Sequence, residues 1–142
     1  MRVVLDTSVL IAALRSGKGA AAENLRMALV ANLTMLLDYT LACEYRDVAL
    51  RREHLEASGK STEDTALVLD MVEAVAEPVM VMVRHRPLSP HVKDDMVLDV
   101  AINGGADAIV TFNIRHFREA ARRFHLPVLT PAELLEKYRE KG

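Results

Sequence analysis

The first fourteen residues, MRVVLDTSVLIAAL, place a carboxylate between two elements of regular structure. Residues 3–5 form a short apolar, β-branched run, which predicts a strand buried on both faces. Asp6 ends this run, and Thr7 and Ser8 precede an apolar helical pattern. Asp6 is therefore expected at the carboxyl end of a central strand, where it either caps the helix or faces a ligand crevice.

Apolar runs and helical patterns then alternate along the chain. Strands are predicted at 33–37, 79–83, 106–110 and 126–129, and helices at 20–31, 41–56, 62–75 and 96–103, with further helices after Asn113 and from Thr130. The run 79–83 is apolar at every position and is expected to be covered on both faces. The alternation predicts one α/β domain over residues 1–142, with a mainly parallel sheet of about five strands.

Two helix ends carry recognisable capping residues. Gly104 and Gly105 follow the predicted helix 96–103 and are expected to form its C-cap. Thr130, Pro131 and Glu133 match the N-cap, first and third positions of a final helix.

Composition and charge exclude several classes of protein. The 142 residues are 51% hydrophobic and 27% charged, as in an ordinary soluble domain. The formal net charge of −2 excludes binding of polyanions through overall charge, so nucleic-acid contact requires a local basic patch or metal ions. Cys43 is the only cysteine, which excludes an internal disulfide. The apolar runs are too short to span a bilayer and no signal peptide is recognised, so a cytoplasmic protein without membrane contact is expected.

Four polar side chains occupy equivalent positions in the predicted sheet. Asp6, Glu44, Asp95 and Asn113 each lie just beyond a strand or in the first turn of a predicted helix. The carboxyl ends of parallel strands share one edge, so these side chains can meet there. Three neighbouring carboxylates repel one another unless a cation compensates them, and oxygen ligands suit Mg²⁺ or Mn²⁺. Such an ion can activate water and stabilise charge on a phosphodiester, which indicates metal-assisted phosphoryl chemistry.

Each of these residues also has a simpler explanation. Glu44 can be an ordinary surface acid, and Asn113 can be a turn residue. Asp94 and Asp95 can each stabilise a helix N-terminus through its dipole. Asp99 faces either the same crevice or the solvent. The shared location of the four residues favours the functional interpretation.

The sequence resembles the PIN-domain family of metal-dependent nucleases over nearly its whole length. The motifs that carry the resemblance are VVLDTSVLIAAL, LACEYRDV and DDMVLDVAINGGADAIVTFNIRHF. The resemblance is strongest to the VapC-like ribonucleases, the toxin components of prokaryotic toxin–antitoxin pairs. It implies a PIN-like three-layer sandwich with helices on both faces of the sheet.

The resemblance also implies roles for individual residues. Asp6, Glu44 and Asp95 would bind Mg²⁺ or Mn²⁺, with Thr7 or Ser8 beside the metal. Asn113 follows Thr111 where the family often has a fourth acid. An amide oxygen can ligate a metal or orient water but adds no negative charge, so a weaker second metal site or catalysis with one metal is expected.

Two neighbouring carboxylates are alternatives at this site. Asp94 is an alternative ligand to Asp95, although the helical pattern favours Asp95. Asp99 lies one helical turn further and could partly replace the missing fourth acid.

Substrate and partners follow from the same resemblance. The expected substrate is single-stranded or structured RNA, and the expected partner is a cognate antitoxin. Independently of the resemblance, the apolar run 79–83 and its methionines indicate either a homodimer contact or core packing. Arg84, Arg86, Lys93 and Arg115 flank the acidic residues and are predicted to contact the RNA backbone. A solvated charged loop is the alternative interpretation of these four residues.

Two other functions are compatible with parts of the pattern. A catalytically weak or silent PIN-like module that binds RNA or protein is favoured by Asn113. A phosphatase of the haloacid dehalogenase type also has an aspartate after its first strand. That family places a second aspartate two positions later, where this chain has Ser8.

Overall fold

The computed structural model describes residues 1–82 and 92–141. Five parallel strands form one sheet in the order β3-β2-β1-β4-β5: β1 (Arg2–Leu5), β2 (Thr34–Leu37), β3 (Glu77–Pro78), β4 (Ala108–Val110) and β5 (Val128–Leu129). The helices in this part of the chain are α1 (Thr7–Arg15), α2 (Ala20–Leu29), α3 (Tyr39–Ala49), α4 (Arg52–Ser58), α5 (Thr62–Val75), α6 (Val92–Gly104), α7 (Ile114–Arg123) and α8 (Pro131–Lys141). Among these helices, none is long and apolar enough to cross a membrane.

Helices cover both faces of the sheet. The chain moves outward from β1 to β2 and β3, then returns to β4 and β5 on the other side of β1. Because parallel crossovers are right-handed, connections running in opposite directions lie on opposite faces. In agreement, α2 packs against α1, α5 and α8, whereas α6 packs against α7 and the central strands. The prediction of an α/β three-layer sandwich with a mainly parallel sheet is confirmed.

Strand β1 is the centre of the core. Val3, Val4 and Leu5 are fully buried, and Val3 lies opposite Met35 of β2 and Ala108 of β4. Each of these positions has a strand on either side and helices above and below. The sequence-based prediction of a doubly covered first strand is therefore confirmed.

The connections leaving β1 and β4 run in opposite directions although the two strands are neighbours. In an open α/β sheet, such a reversal opens a crevice beyond the carboxyl ends of the two strands. Asp6 follows β1 and Thr111 follows β4, so both residues stand at this point. The topology thus selects the same edge of the sheet as the sequence pattern does.

The strand predicted at 79–83 is wrong. The observed β3 is Glu77–Pro78, and only one further ladder bond follows, from Val79 N to Leu37 O at 2.9 Å. Its partner β2 ends at Leu37, so residues 80–82 have no strand to pair with. Met80 and Met82 are 76% and 75% exposed, so this segment is not covered on both faces. Residue 83 lies outside the described residues.

The single helix predicted at 41–56 is also wrong. Arg51 is extended (φ −66°, ψ 141°) and separates α3 from α4. Helix α3 begins earlier than predicted because the Asp38 carboxylate caps it, accepting from Leu41 N at 2.8 Å. Glu44 consequently lies in the second turn of α3 and not in the first.

Other element boundaries shift by a few residues. Helix α6 begins at Val92, four residues before the predicted start, so Asp94 and Asp95 lie inside its first turn. Gly105 adopts φ +62°, as a C-cap glycine requires. The Thr130–Glu133 capping box is present, with reciprocal bonds of 2.9 and 3.2 Å. Both predicted caps are confirmed.

Truncation of Leu98 tests how far the core depends on α6. Leu98 is fully buried on α6, so Leu98→Ala should lower the free energy of unfolding by about 2–5 kcal/mol. The matched change Leu67→Ala on α5, where the side chain is 59% exposed, should cost less than about 0.5 kcal/mol. Urea unfolding followed by circular dichroism measures both values. Equal losses of stability would contradict the assigned packing of α6.

Candidate active site

Asp6 is held at the end of β1 by the neighbouring strand. Its backbone N–H donates to Val110 O at 2.9 Å, and the residue is 6% exposed. It occupies the N-cap position of α1 in an extended conformation, but its side chain makes no capping hydrogen bond. The first turn of α1 bonds to the Asp6 backbone carbonyl instead. Capping therefore does not account for this carboxylate.

Two hydroxyl groups fix the orientation of the Asp6 side chain. Its Oδ2 accepts from Ser8 Oγ at 2.7 Å and from Thr111 Oγ1 at 2.8 Å. Thr111 Oγ1 in turn accepts from Asn113 N at 2.9 Å, which joins the loop after β4 to the end of β1. Among the described residues, none donates to Asp6 Oδ1. One oxygen of a buried carboxylate thus remains available for a ligand.

Helix α6 contributes three further carboxylates with little solvent exposure. Asp95 and Asp99 are 2% and 1% exposed, and residues four apart share one helix face. Asp94 Oδ2 lies 3.2 Å from His116 Nδ1, so its side chain is engaged with α7. This contact supports Asp95 over Asp94 as the inward carboxylate. Asp99 is buried, so it does not face the solvent.

The chemistry of this donor set fits a hard divalent cation. Removal of a carboxylate from water costs several kcal/mol, and opposite charge is needed to offset that cost. Asp6, Asp95 and Asp99 offer oxygen donors only, which suits Mg²⁺ or Mn²⁺. Within residues 1–82 and 92–141, no three histidine, cysteine or acidic side chains form a ready-made metal cluster. An ion here would combine few protein ligands with water, as Mg²⁺ commonly does.

Glu44, Asn113 and Arg115 are further predicted site residues in the described part of the chain. Glu44 is half-buried on α3, and the structure does not bring it into a three-acid cluster with Asp6. Asn113 is exposed as the N-cap of α7, and its side chain makes no capping bond. Arg115 is exposed on the first turn of α7. Arg84, Arg86 and the side chain of Lys93 lie outside the described residues.

A groove leads from the site across the first helix. It has a volume of about 390 Å³, and Thr7 and Ser8 stand at one end. Ile11 and Val48 form apolar walls, and His54 lies further along. The groove gives the hydroxyl-bearing end of α1 an open approach from solvent.

Comparison with known proteins decides the family. The PIN domain family model matches residues 2–115, which includes Asp6, Asp95 and Asn113. The chain belongs to the PIN-domain family. The chain is also similar in fold to a chain in a solved structure, the crystal structure of VapBC2 from Rickettsia felis bound to a DNA fragment from their promoter. That chain shares 18% identity with a TM-score of 0.60, and the match covers 90% of this chain and 97% of that chain. No curated protein matches the sequence.

One residue of this PIN domain was missed by sequence reasoning. Tyr45 directly follows Glu44, is fully buried, and donates from its hydroxyl to the carbonyl of Leu5, the residue before Asp6. Burial raises its pKa well above the usual value, and the carboxylates of Asp6 and Asp38 raise it further. The available signal was spacing, because Leu41, Tyr45 and Ala49 form a buried i, i+4, i+8 stripe on α3.

Removal of the Tyr45 hydroxyl tests whether it anchors the end of β1. Tyr45→Phe keeps the ring but leaves the Leu5 carbonyl without its donor, so stability should fall by about 0.5–1.5 kcal/mol. Tyr39→Phe is the control because Tyr39 is largely exposed, and it should change stability by less than about 0.5 kcal/mol. Denaturant unfolding measures both. No difference between the variants would remove Tyr45 from the support of Asp6.

Alkaline pH should destabilise the domain through the same residue. The folded-state pKa of Tyr45 lies above the unfolded value of about 10, so its contribution is complete below that pH and is lost as pH rises toward the folded pKa. Wild-type protein should therefore lose stability more steeply above about pH 10 than Tyr45→Phe does. Melting temperatures across this range provide the test. Parallel curves would contradict the raised pKa.

Proposed function

We propose that this PIN-domain protein is an endoribonuclease that requires Mg²⁺ or Mn²⁺ and cleaves phosphodiester bonds in single-stranded or structured RNA. The observation that carries the proposal is the Asp6 carboxylate, buried at the reversal point of the sheet with one oxygen free of hydrogen bonds to described residues. Membership of the PIN family, whose members are generally nucleases, supports it.

Asp6 and Asp95 are the principal ligands in this proposal, and Glu44 is the third. When bound, the divalent ion would activate a water molecule and offset negative charge on the scissile phosphate. Ser8 and Thr111 keep Asp6 in one orientation through their hydroxyl groups. Tyr45 bonds to the carbonyl of Leu5, the residue before Asp6, and so fixes the backbone at the end of β1.

An amide occupies the fourth position of the proposed site. Asn113 is exposed beside Thr111, so it can orient water or a phosphate oxygen without adding charge. Asp99 lies one turn beyond Asp95 on the same face and supplies the additional buried carboxylate. Because Asn113 adds no negative charge at the fourth position, one tightly held ion is favoured over two.

The proposed biological role is that of the toxin in a toxin–antitoxin pair, with a cognate antitoxin as partner. The similarity of fold to a VapBC2 complex from Rickettsia felis supports a partner protein of this type. Exposed apolar side chains on α5 and after β3, among them Met71, Val75 and Met80, offer surface for a partner or for a second copy of the chain.

A silent PIN-like module that binds RNA or protein is the second candidate. Asn113 in place of an acid favours it, as does the lack of a three-ligand cluster among the described side chains. The phosphatase alternative is disfavoured because Ser8 occupies the position of its second aspartate and the chain belongs to the PIN family.

Cleavage of a mixed single-stranded RNA pool tests the proposal. Wild-type protein should cleave with Mn²⁺ and stop on addition of EDTA. Asp6→Asn and Asp95→Asn should each reduce the rate by at least about a hundredfold, because loss of a metal ligand removes several kcal/mol of transition-state stabilisation. Gel analysis of labelled fragments measures the rates.

Two controls separate chemistry from folding. Asp64→Asn changes an exposed carboxylate on α5 and should cleave at the wild-type rate. Circular dichroism should show both inactive variants folded, and their stability should equal or exceed that of wild type because each loses a buried charge. Metal-dependent cleavage retained in Asp95→Asn would remove that residue from the site. No cleavage by folded, metal-loaded wild type would favour the silent module.

A further inference from the structure

Helix α7 differs from residues 1–82 in how its arginines are used. All six arginines in residues 1–82 bind another side chain through the guanidinium group: Arg2 with Glu77, Arg15 with His54, Arg26 with Glu23, Arg46 with Asp70 and Glu73, Arg51 with Asp47, and Arg52 with Glu56. The bonds to carboxylates neutralise positive charge within the fold. They leave the first five helices with little free positive charge.

Three arginines of α7 have no such partner. Arg115, Arg118 and Arg122 are exposed and form no hydrogen bond or ion pair with the described residues. Their spacing of three and four residues places them on one helix face. At 1.5 Å per residue, this α7 stripe extends about 10 Å from Arg115 to Arg122.

The far end of the α7 stripe borders a groove. Arg118 and Arg122 line a groove of about 500 Å³ whose floor includes Ala121, Leu126 and Val128. The acid in its wall, Glu133, is held by the N-terminus of α8, where its Oε1 accepts from Thr130 N at 2.9 Å. No described carboxylate forms an ion pair with either arginine. The groove therefore combines net positive charge with an apolar floor.

The near end of the α7 stripe meets the candidate active site. Asn113, the N-cap of α7, is bound through its backbone N–H to Thr111, and Thr111 donates to Asp6. Arg122 lies nine residues further on, about 13 Å along the helix. A chain that leaves the Asp6 crevice along α7 would meet one arginine per helical turn.

We propose that the α7 stripe and its groove form a subsite for the RNA strand beyond the scissile phosphate, with Arg118 and Arg122 binding successive backbone phosphates. This inference rests on the proposed ribonuclease function. Guanidinium groups bind phosphate oxygens in a bidentate manner, and the apolar floor suits ribose and base faces. The arginines of the α7 stripe are evenly spaced, and the stripe begins beside the Asp6 crevice. Both features favour a nucleic-acid strand over an acidic peptide, because an acidic peptide requires neither of them.

Binding measurements in an inactive background provide the test. The Asp95→Asn substitution is used so that the RNA is not cleaved during the measurement. Fluorescence anisotropy then gives the affinity for single-stranded RNAs of three and twelve nucleotides. Addition of Arg118→Ala with Arg122→Ala should weaken binding of the 12-mer by at least about tenfold and lower its salt slope by about 0.7 for each phosphate that is no longer neutralised. Binding of the trimer should weaken less than binding of the 12-mer, because the trimer has only two internucleotide phosphates and Arg122 lies about 13 Å along the helix from Asn113.

Arg26→Ala with Arg52→Ala is the matched control, because these arginines are exposed but paired with Glu23 and Glu56 on their own helices. This control should leave the 12-mer affinity and slope unchanged. Circular dichroism verifies folding, which is expected because all four side chains lie on the surface. Unchanged 12-mer binding in the α7 variant, or equally weakened binding of both RNAs, would overturn the inference.

Two results separate this inference from the proposed function. RNA cleavage by the wild type together with unaltered 12-mer binding by the α7 variant would refute the proposed subsite and would leave the proposed ribonuclease function supported. Loss of 12-mer binding in the α7 variant of a protein that never cleaves would support the subsite and refute the nuclease. A poly-glutamate peptide that competes as strongly as the 12-mer, with the same dependence on Arg118 and Arg122, would assign the surface to an acidic protein and overturn the proposal.

Discussion

The burial of one carboxylate at the junction of β1 and β4 governs the arrangement of this PIN domain. Asp6 is nearly inaccessible, and its backbone and side chain both bond to the end of β4 or the loop after it. The hydroxyls of Ser8 and Thr111 satisfy only one of its two oxygens. A buried carboxylate with one unsatisfied oxygen stabilises a bound cation. The burial of Asp6 therefore costs folding free energy and at the same time favours metal binding.

Tyr45, Thr111 and helix α6 are the parts of the structure that determine the position and the electrostatic environment of Asp6. Tyr45 fixes the backbone before it, and Thr111 connects it to the start of α7. Helix α6 packs against the central strands and carries Asp95 and Asp99 on one buried face. Since the whole chain carries a net charge of −2, the proposed binding of RNA would depend on local positive charge, which the proposed ion and the α7 stripe would supply.

The parts of the fold that depend on local pattern could be predicted from the sequence. The buried strand before Asp6 and the Thr130 capping box follow from residue type and spacing alone. The local pattern could not show that residues 79–83 lack a strand partner, because that pairing depends on where β2 ends. For the candidate site, the sequence could predict which polar residues follow strands. Which hydroxyls bind Asp6, and which arginines remain unpaired, depends on contacts between residues far apart in the chain.

Mn²⁺ binding by the folded protein, measured by electron paramagnetic resonance titration, tests the metal site most directly because it requires no substrate. Wild type is expected to bind Mn²⁺, and both Asp6→Asn and Asp95→Asn should weaken the affinity at least about tenfold. Asp64→Asn, which changes an exposed acid on α5, should bind as wild type does. Equal Mn²⁺ affinity in all four proteins would contradict a metal site at the end of β1.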